Sequence, residues 1–496
     1  MHTTLLLDMA ADAAPDRVAL GRVADGVSFA ELRRRAHAGA VALDALGGET
    51  VVFVGLNGPA LPVALFASGL LGKPFAPLNY RLPDPDLRKL LARTAPSVAV
   101  VDDDMIARLG VCPGVTVMSR SAFEVASRKP SDVELPYVEP DIGVLLFTSG
   151  TTGEPKAAIL RHANLTSYVI STVEFLGSDQ DEAALVSVPP YHIAGISAVL
   201  TGVYGGRRIV HLEAFTPETW VEAATDENIT HAMVVPTMLG RILDILEHRG
   251  AGLPHLKALS YGGGRMPQPV IERALRLLPT VDFVNAYGLT ETSSTVAVLG
   301  PDDHREAITS ADETVRRRLG SVGRPLPTVE LEVRGPGGQV MPAGQSGEIY
   351  VRGEQVSGEY THKKVVQDDG WFATNDGGWM DEAGYLFVEG RLDDVIVRGG
   401  ENISPGEIED VLREHPNVAD VAVLGVPDDH WGERVACAVV CKNGQPPVDE
   451  LVAWVKTRLR STKTPDVWSF RDALPYNDTG KLLRRQLRTE MSVVRA

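Results

Sequence analysis

Short apolar runs rich in β-branched residues recur along the chain, separated by stretches whose apolar positions repeat at helical spacing. TVVFVGLN, SVAVVDD, IGVLLFTSG, AALVSVPP, THAMVVP, LKALSYGGG and VDFVNAYG are such runs, and LPVALFASGLLG falls among them. Strand, helix and strand repeated over most of a chain predict an α/β fold with parallel sheets. Farther on the pattern changes. VELEVRGPGGQV, SGEIYVRG and DEAGYLFVEGRLDD alternate apolar and polar residues around turns, which predicts antiparallel strands. ENISPGEIEDVLREHPNVADVAVLGVPDDHWGERVACAVV then reads helix, strand, loop, strand, a compact unit of about 100 residues running to the carboxyl end. The boundary is placed at Leu392, giving domains 1–392 and 393–496.

Composition narrows the function classes. A chain of 496 residues, 44% hydrophobic and 23% charged, is globular and long enough for two or more domains. Its net charge of -17 argues against sequence-independent nucleic-acid binding, which requires clustered Lys and Arg. No apolar run approaches the roughly 20 residues of a membrane span. The amino end, with Asp8 after its leucines and no basic start, does not read as a secretory signal. Of three cysteines, Cys437 and Cys441 lie in a β-branched run and read as core packing, since neither CxxC nor a histidine pair completes a ligand set. A reducing, cytoplasmic setting is expected.

Candidate chemistry starts at TSGTTGEPK, residues 148–156, which crowds hydroxyls and glycines before a lysine. Small residues let backbone N–H groups approach an anion, and a lysine adds a point charge, so a phosphate chain is one reading. An ordinary Gly/Thr hairpin is the other. The P-loop pattern fails, because Pro155 stands where its second glycine belongs and Ala157 follows Lys156.

Three further stretches share an order with this loop: NAYGLTETS, FATNDGGWMDEAGYLFVEGRLDDVIVRGGENISPGEIE and LPYNDTGKLLRRQLR. Together the four resemble the adenylate-forming superfamily over nearly the whole chain, and their wording is similar to CoA ligases for aromatic or medium-chain acids, such as 4-chlorobenzoate–CoA ligase. The resemblance implies a large N-terminal domain of αβ-layered sheets with a β-barrel-like subdomain, and a small mobile α+β C-terminal domain. It also implies a carboxylic acid as substrate, ATP, Mg²⁺ and CoA, with a homodimer left open. A carboxylate is a poor electrophile; the resembled enzymes join it to the α-phosphorus of ATP and release pyrophosphate. Holding charge in place is then the protein's main task.

On that resemblance, Thr148, Ser149, Thr151 and Thr152 bind phosphate oxygens, Gly150 and Gly153 allow close approach, and Lys156 faces the departing pyrophosphate. Tyr287 is an adenine-stacking ring, Thr290 a phosphate ligand and Glu291 the Mg²⁺ carboxylate. Gly262, Gly263 and Gly264 wall the adenine and acyl sites, while Asp376 and Arg391 meet the ribose. Lys481 contacts the acid and ATP during adenylation. Asp393 is the hinge about which Lys481 leaves, so that Gly399, Gly400, Glu401 and Trp431 line the approach of the thiol. His192, Val235, Pro236, Thr237 and Gly288 border the acid, His192 without a proton-transfer role.

Some residues depart from the resembled pattern. STKTPDVW has Asp466 where related ligases carry a basic residue toward the CoA phosphates, and a carboxylate facing phosphate is unfavourable. Tyr476 replaces a common basic residue, and TNDGG replaces the usual TGD. A carrier-protein thiol, an amine, or nitrite as in ATP-dependent diazotases therefore stands beside CoA as acceptor. A phosphotransferase or ATPase, or an inactive nucleotide-binding protein, is the reading of another class.

Overall fold

The computed structural model of the chain describes residues 1–139, 141–148, 155–428, 430–476 and 482–493, apart from the side chains of Asn402 and Val493. Two layered sheets carry most of the larger part. In the eight-stranded sheet, Thr50–Val54, Phe75–Pro77, Ser97–Val101 and Val115–Ser119 run parallel, and Ile142–Thr148 joins beside Phe75–Pro77. The nine-stranded sheet centres on a parallel array of Arg208–His211, Ala183–Val186, His231–Val234, Ala258–Gly262 and Asp282–Leu289. Strands covered on both faces by helices become continuously apolar, and Ser97–Val101 is buried at every position. Helices Phe29–Asp44, Ala60–Leu70 and Ile193–Gly205 fill one core between the sheets, against Phe53, Phe75 and Ile209.

Two expectations are corrected. LPVALFASGLLG is not a strand: Ala60–Leu70 is a helix, and every residue from Ala60 to Gly69 is buried. A segment apolar on all sides carries no period by which helix and strand could be told apart. IGVLLFTSG is a strand, but it leads into an antiparallel partner, Lys156–Arg161, rather than into a crossover helix. KAAILR pairs with it from Thr148↔Lys156 to Ile142↔Arg161.

The predicted antiparallel strands form a four-stranded sheet of Glu330–Arg334, Gly347–Arg352, Phe372–Met380 and Leu386–Arg391, whose inner face buries Val333, Ile349, Val351 and Leu386. From there the chain passes through a short turn, Leu392–Asp394, into the smaller C-terminal part. That part has a five-stranded sheet and its own apolar cores, one of them built on Ile396, Ile408, Leu412, Val421 and Cys437. Cys437 is fully buried on the strand Gly432–Cys441, as expected of a packing residue. One buried ion pair ties this unit together: Arg484 lies 2.6 Å from the Glu409 carboxylate, which also accepts from the Val423 amide. No helix among the described residues is long and apolar enough to cross a membrane.

Candidate active site

Parallel strands bring their carboxyl ends to one edge of the nine-stranded sheet, and in open α/β sheets that edge is where ligands bind. Val235, Pro236 and Thr237 follow His231–Val234 directly, and Gly263 and Gly264 follow Ala258–Gly262. Tyr287 and Gly288 lie at the carboxyl end of the strand Asp282–Leu289, just before Thr290 and Glu291. All of these except Gly262 line a single cleft of about 2640 Å³ between the larger and smaller parts, together with Thr148, Lys156, His192, Asp376, Arg391 and Asp393. Gly263 has φ +77, a left-handed backbone that glycine adopts without steric cost, and the turn it makes faces Val235 and Pro236.

Thr148 and Lys156 face each other across the hairpin, and the Lys156 side is exposed. Ser149, Gly150, Thr151, Thr152 and Gly153 lie outside the described residues. Sequence reasoning missed Arg93 here: its guanidinium donates to the Pro155 carbonyl at 2.6 Å and lies over the Phe147 ring, so it clamps the base of the loop. Nothing in its local sequence signals a partner 62 positions away.

Next to this hairpin, Glu291 sits in the short turn Thr290–Thr292 and is 8% exposed. Its carboxylate accepts a hydrogen bond from the Tyr360 hydroxyl. A second polar group is built from Tyr287, Asp376 and Arg391. The Tyr287 hydroxyl donates to Asp376 at 2.7 Å, and Arg391 donates to the same carboxylate at 3.2 Å and to the Thr374 carbonyl at 3.0 Å. Asp376 and Arg391 are direct partners on antiparallel strands, which fixes their spacing. Burial, reinforced by the Asp376 charge, pushes the Tyr287 hydroxyl well above its ordinary pKa, so it stays a donor at any physiological pH.

His192 stands at the amino end of the mostly apolar helix Ile193–Gly205 and its ring lies obliquely against Tyr191. Met233, Val235, Met238 and Met266 continue this side of the cleft, giving a mostly apolar wall.

From the smaller part, Tyr476, Leu482 and Arg484 line the cleft, whereas Gly399, Gly400, Glu401 and Trp431 do not. Lys481 lies outside the described residues. Gly399 instead packs on Trp431: a Cβ there would come within 2.8 Å of the indole. Three polar contacts hold this orientation. Arg265 pairs with Asp410, Ser404 donates to the Glu389 carbonyl at 3.2 Å, and Asn375 donates to Asp393 at 2.8 Å. Asn375 occupies the left-handed region, φ +59, where Asn is among the few residues tolerated in place of glycine.

Asp466, which puts a carboxylate where related ligases carry a basic residue, has a basic partner. Arg398 lies 3.0 Å from it, also donates to the Thr462 carbonyl at 2.9 Å, and sits over Trp431. Tyr476, too, has a partner: its hydroxyl donates to Asp420 at 2.6 Å.

A hydroxyl-rich hairpin, an acidic turn and a small domain closing over parallel strand ends define an adenylate-forming enzyme. The chain belongs to the AMP-binding enzyme family: the family model matches residues 7–361, and that of the AMP-binding enzyme C-terminal domain matches residues 407–481. It is 35% identical to a feruloyl-CoA synthase of an Amycolatopsis species, over 96% of each chain. Among solved structures, o-succinylbenzoate CoA synthetase from Bacillus subtilis, in complex with its acyl-adenylate intermediate, superimposes with a TM-score of 0.85 at 28% identity over 97% of each chain. That synthetase has also been solved with ATP and a magnesium ion. An amide bond synthetase from Marinactinospora thermotolerans matches at 0.85 and 27% identity, over 98% of this chain and 99% of that one.

Proposed function

We propose that the chain is an ATP-dependent, AMP-forming acid–CoA ligase acting on an aromatic or medium-chain carboxylic acid. The observation that carries this reading is the meeting, in one cleft, of the Thr148–Lys156 hairpin, the Thr290–Glu291 turn and the Tyr287–Asp376–Arg391 group. A triphosphate laid along the hairpin meets Thr148, Thr290 and Lys156, adenine stacks on Tyr287, and the ribose hydroxyls reach Asp376. A carboxylate offers about four acceptor positions, so Asp376 can receive them while still holding Tyr287 and Arg391. The apolar wall from His192 through Val235 to Gly264 takes the acid's tail and aims its carboxylate at the α-phosphorus. The new carboxyl–phosphorus bond forms as the bond to pyrophosphate breaks, and Lys156 screens the charge that leaves.

Magnesium fits this donor set as an ion carried by the nucleotide. Glu291 alone cannot cage a cation, and the described residues hold no cluster of three His, Cys, Asp or Glu that could; Mg²⁺ commonly takes one protein carboxylate and completes its shell with phosphate and water oxygens. When bound it neutralises phosphate charge.

Residues 1–392 and 393–496 act as two bodies in this scheme. The present orientation, with Tyr476, Leu482 and Arg484 facing the cleft, suits adenylation. Rotation about Asp393 exchanges it for Gly399, Gly400, Glu401 and Trp431, and CoA thiol then attacks the acyl carbon and displaces AMP. One observation favours a second reading of that last step. Because Asp466 offsets Arg398 beside Trp431, a carrier-protein thiol, an amine or nitrite is a rival acceptor.

Exchange of labelled pyrophosphate into ATP tests the reading. It should require a carboxylic acid and fall by at least about 100-fold in Lys481→Ala, as for loss of a charge placed on the transition state. Exchange that needs neither would overturn it.

A further inference from the structure

Tyr360 lines the cleft and falls in none of the four stretches that carry the resemblance. It lies on the two-residue strand Glu359–Tyr360, and every neighbouring contact fixes it. Tyr360 pairs with Ala158 on the strand that begins at Lys156, the Thr361 amide donates to the Ala157 carbonyl at 3.1 Å, and Glu359 holds Arg161 at 2.9 Å. Just before it, the Ser357 and Gly358 amides both donate to the Glu291 carbonyl, at 2.8 and 3.2 Å. The same short segment is therefore stitched to the phosphate hairpin on one side and to the Glu291 backbone on the other. Its phenol completes the link by donating to Glu291 Oε1.

We propose that Tyr360 is a positioning residue that sets how Glu291 meets a cation: its hydrogen bond takes one acceptor position of Oε1 and fixes the carboxylate's orientation, which disfavours chelation through both oxygens and favours binding through Oε2. This rests on the reading of Glu291 as the magnesium carboxylate. A carboxylate binding through one oxygen suits Mg²⁺, which demands a compact octahedron, and handicaps Ca²⁺, which readily takes a carboxylate through both oxygens. The phenol is thus a selectivity element, and its rigid mounting prevents it from swinging aside when a larger ion arrives.

Tyr360→Phe removes one hydroxyl from a half-buried ring and preserves the packing; near-ultraviolet circular dichroism and the melting temperature verify the fold. The readout is cation binding to the enzyme complexed with a non-hydrolysable α,β-methylene ATP, measured by displacement of Mn²⁺ with Mg²⁺ or Ca²⁺ and followed by electron paramagnetic resonance. Wild type should prefer Mg²⁺, and in Tyr360→Phe the Ca²⁺-to-Mg²⁺ affinity ratio should rise about tenfold, the scale of one hydrogen bond to a charged group. Glu291→Ala separates the two layers of the argument. If it weakens Mn²⁺ binding while Tyr360→Phe keeps the wild-type ratio, the role of Tyr360 is overturned and that of Glu291 stands. If Glu291→Ala binds Mn²⁺ as wild type does, the assignment of Glu291 falls and the inference falls with it.

Discussion

Asp466 and Arg398 form an ion pair at 3.0 Å directly beside Trp431, so the carboxylate that interrupts a usually basic stretch is neutralised by a cation from a neighbouring strand. Removing the carboxylate alone frees Arg398 for a phosphate of CoA. Asp466→Asn should lower the KM for CoA by about two- to fivefold, the worth of a partly exposed charge, and leave pyrophosphate exchange unchanged. Asp466→Arg should gain less, since it sets a second guanidinium against Arg398. A wild-type KM in the Asn variant would place the pair off the acceptor's path.

Asn375 holds the proposed hinge residue from the larger side. Its amide donates to Asp393, and its backbone conformation is one that glycine adopts freely. Asn375→Gly therefore deletes the contact without strain. The rate of thioester formation from supplied acyl-adenylate, relative to adenylation, should rise about two- to fivefold, matching the loss of a hydrogen bond of about 1 kcal/mol in one orientation only. Equal change in both half-reactions would show that the contact does not bias the rotation.

How much of this was legible in the sequence depended on distance along the chain. The TSGTTGEPK loop, Thr290 with Glu291, and Asp376 with Arg391 sit inside the compact stretches that carry the family resemblance, and their expected roles come from that resemblance, since each residue type alone is equally at home on a surface or in a core. Tyr360 on Glu291, Arg93 on Pro155 and Arg398 on Asp466 join positions 60 or more residues apart, through tertiary contacts that no local pattern specifies. Asn375 was visible as a departure, but only its left-handed backbone and its reach to Asp393 explain why Asn is accommodated there. The helix Ala60–Leu70 escaped because burial on every side erases the period that distinguishes helix from strand.

Acid should destabilise the fold through His162. The ring is 2% exposed; Nδ1 lies 2.9 Å from the Thr3 hydroxyl, and Nε2 has no hydrogen-bond partner. Burial lowers its pKa from the usual 6.5 to about 3. Because the folded value is the depressed one, its contribution to stability is complete above pH 6.5 and is lost as pH falls from 6.5 toward 3. The slope is up to about 1.4 kcal/mol per pH unit. Denaturant titrations of wild type and His162→Gln should diverge above pH 6.5 and converge toward pH 4. A constant gap would mean that the histidine does not control the transition.

The most direct measurement of the central claim is the fate of nucleotide and acid in one reaction mixture containing ATP labelled at the α-phosphorus, Mg²⁺, CoA and a panel of aromatic and medium-chain acids. The account predicts labelled AMP, an equal amount of pyrophosphate, and a matching amount of one acyl-CoA thioester resolved by mass spectrometry. Labelled ADP as the sole nucleotide product would identify a phosphotransferase or ATPase, and bound nucleotide without turnover across the whole panel an inactive binding protein. Labelled AMP whose adenylate is consumed faster by added nitrite or amine than by CoA would contradict the ligase assignment at its last step.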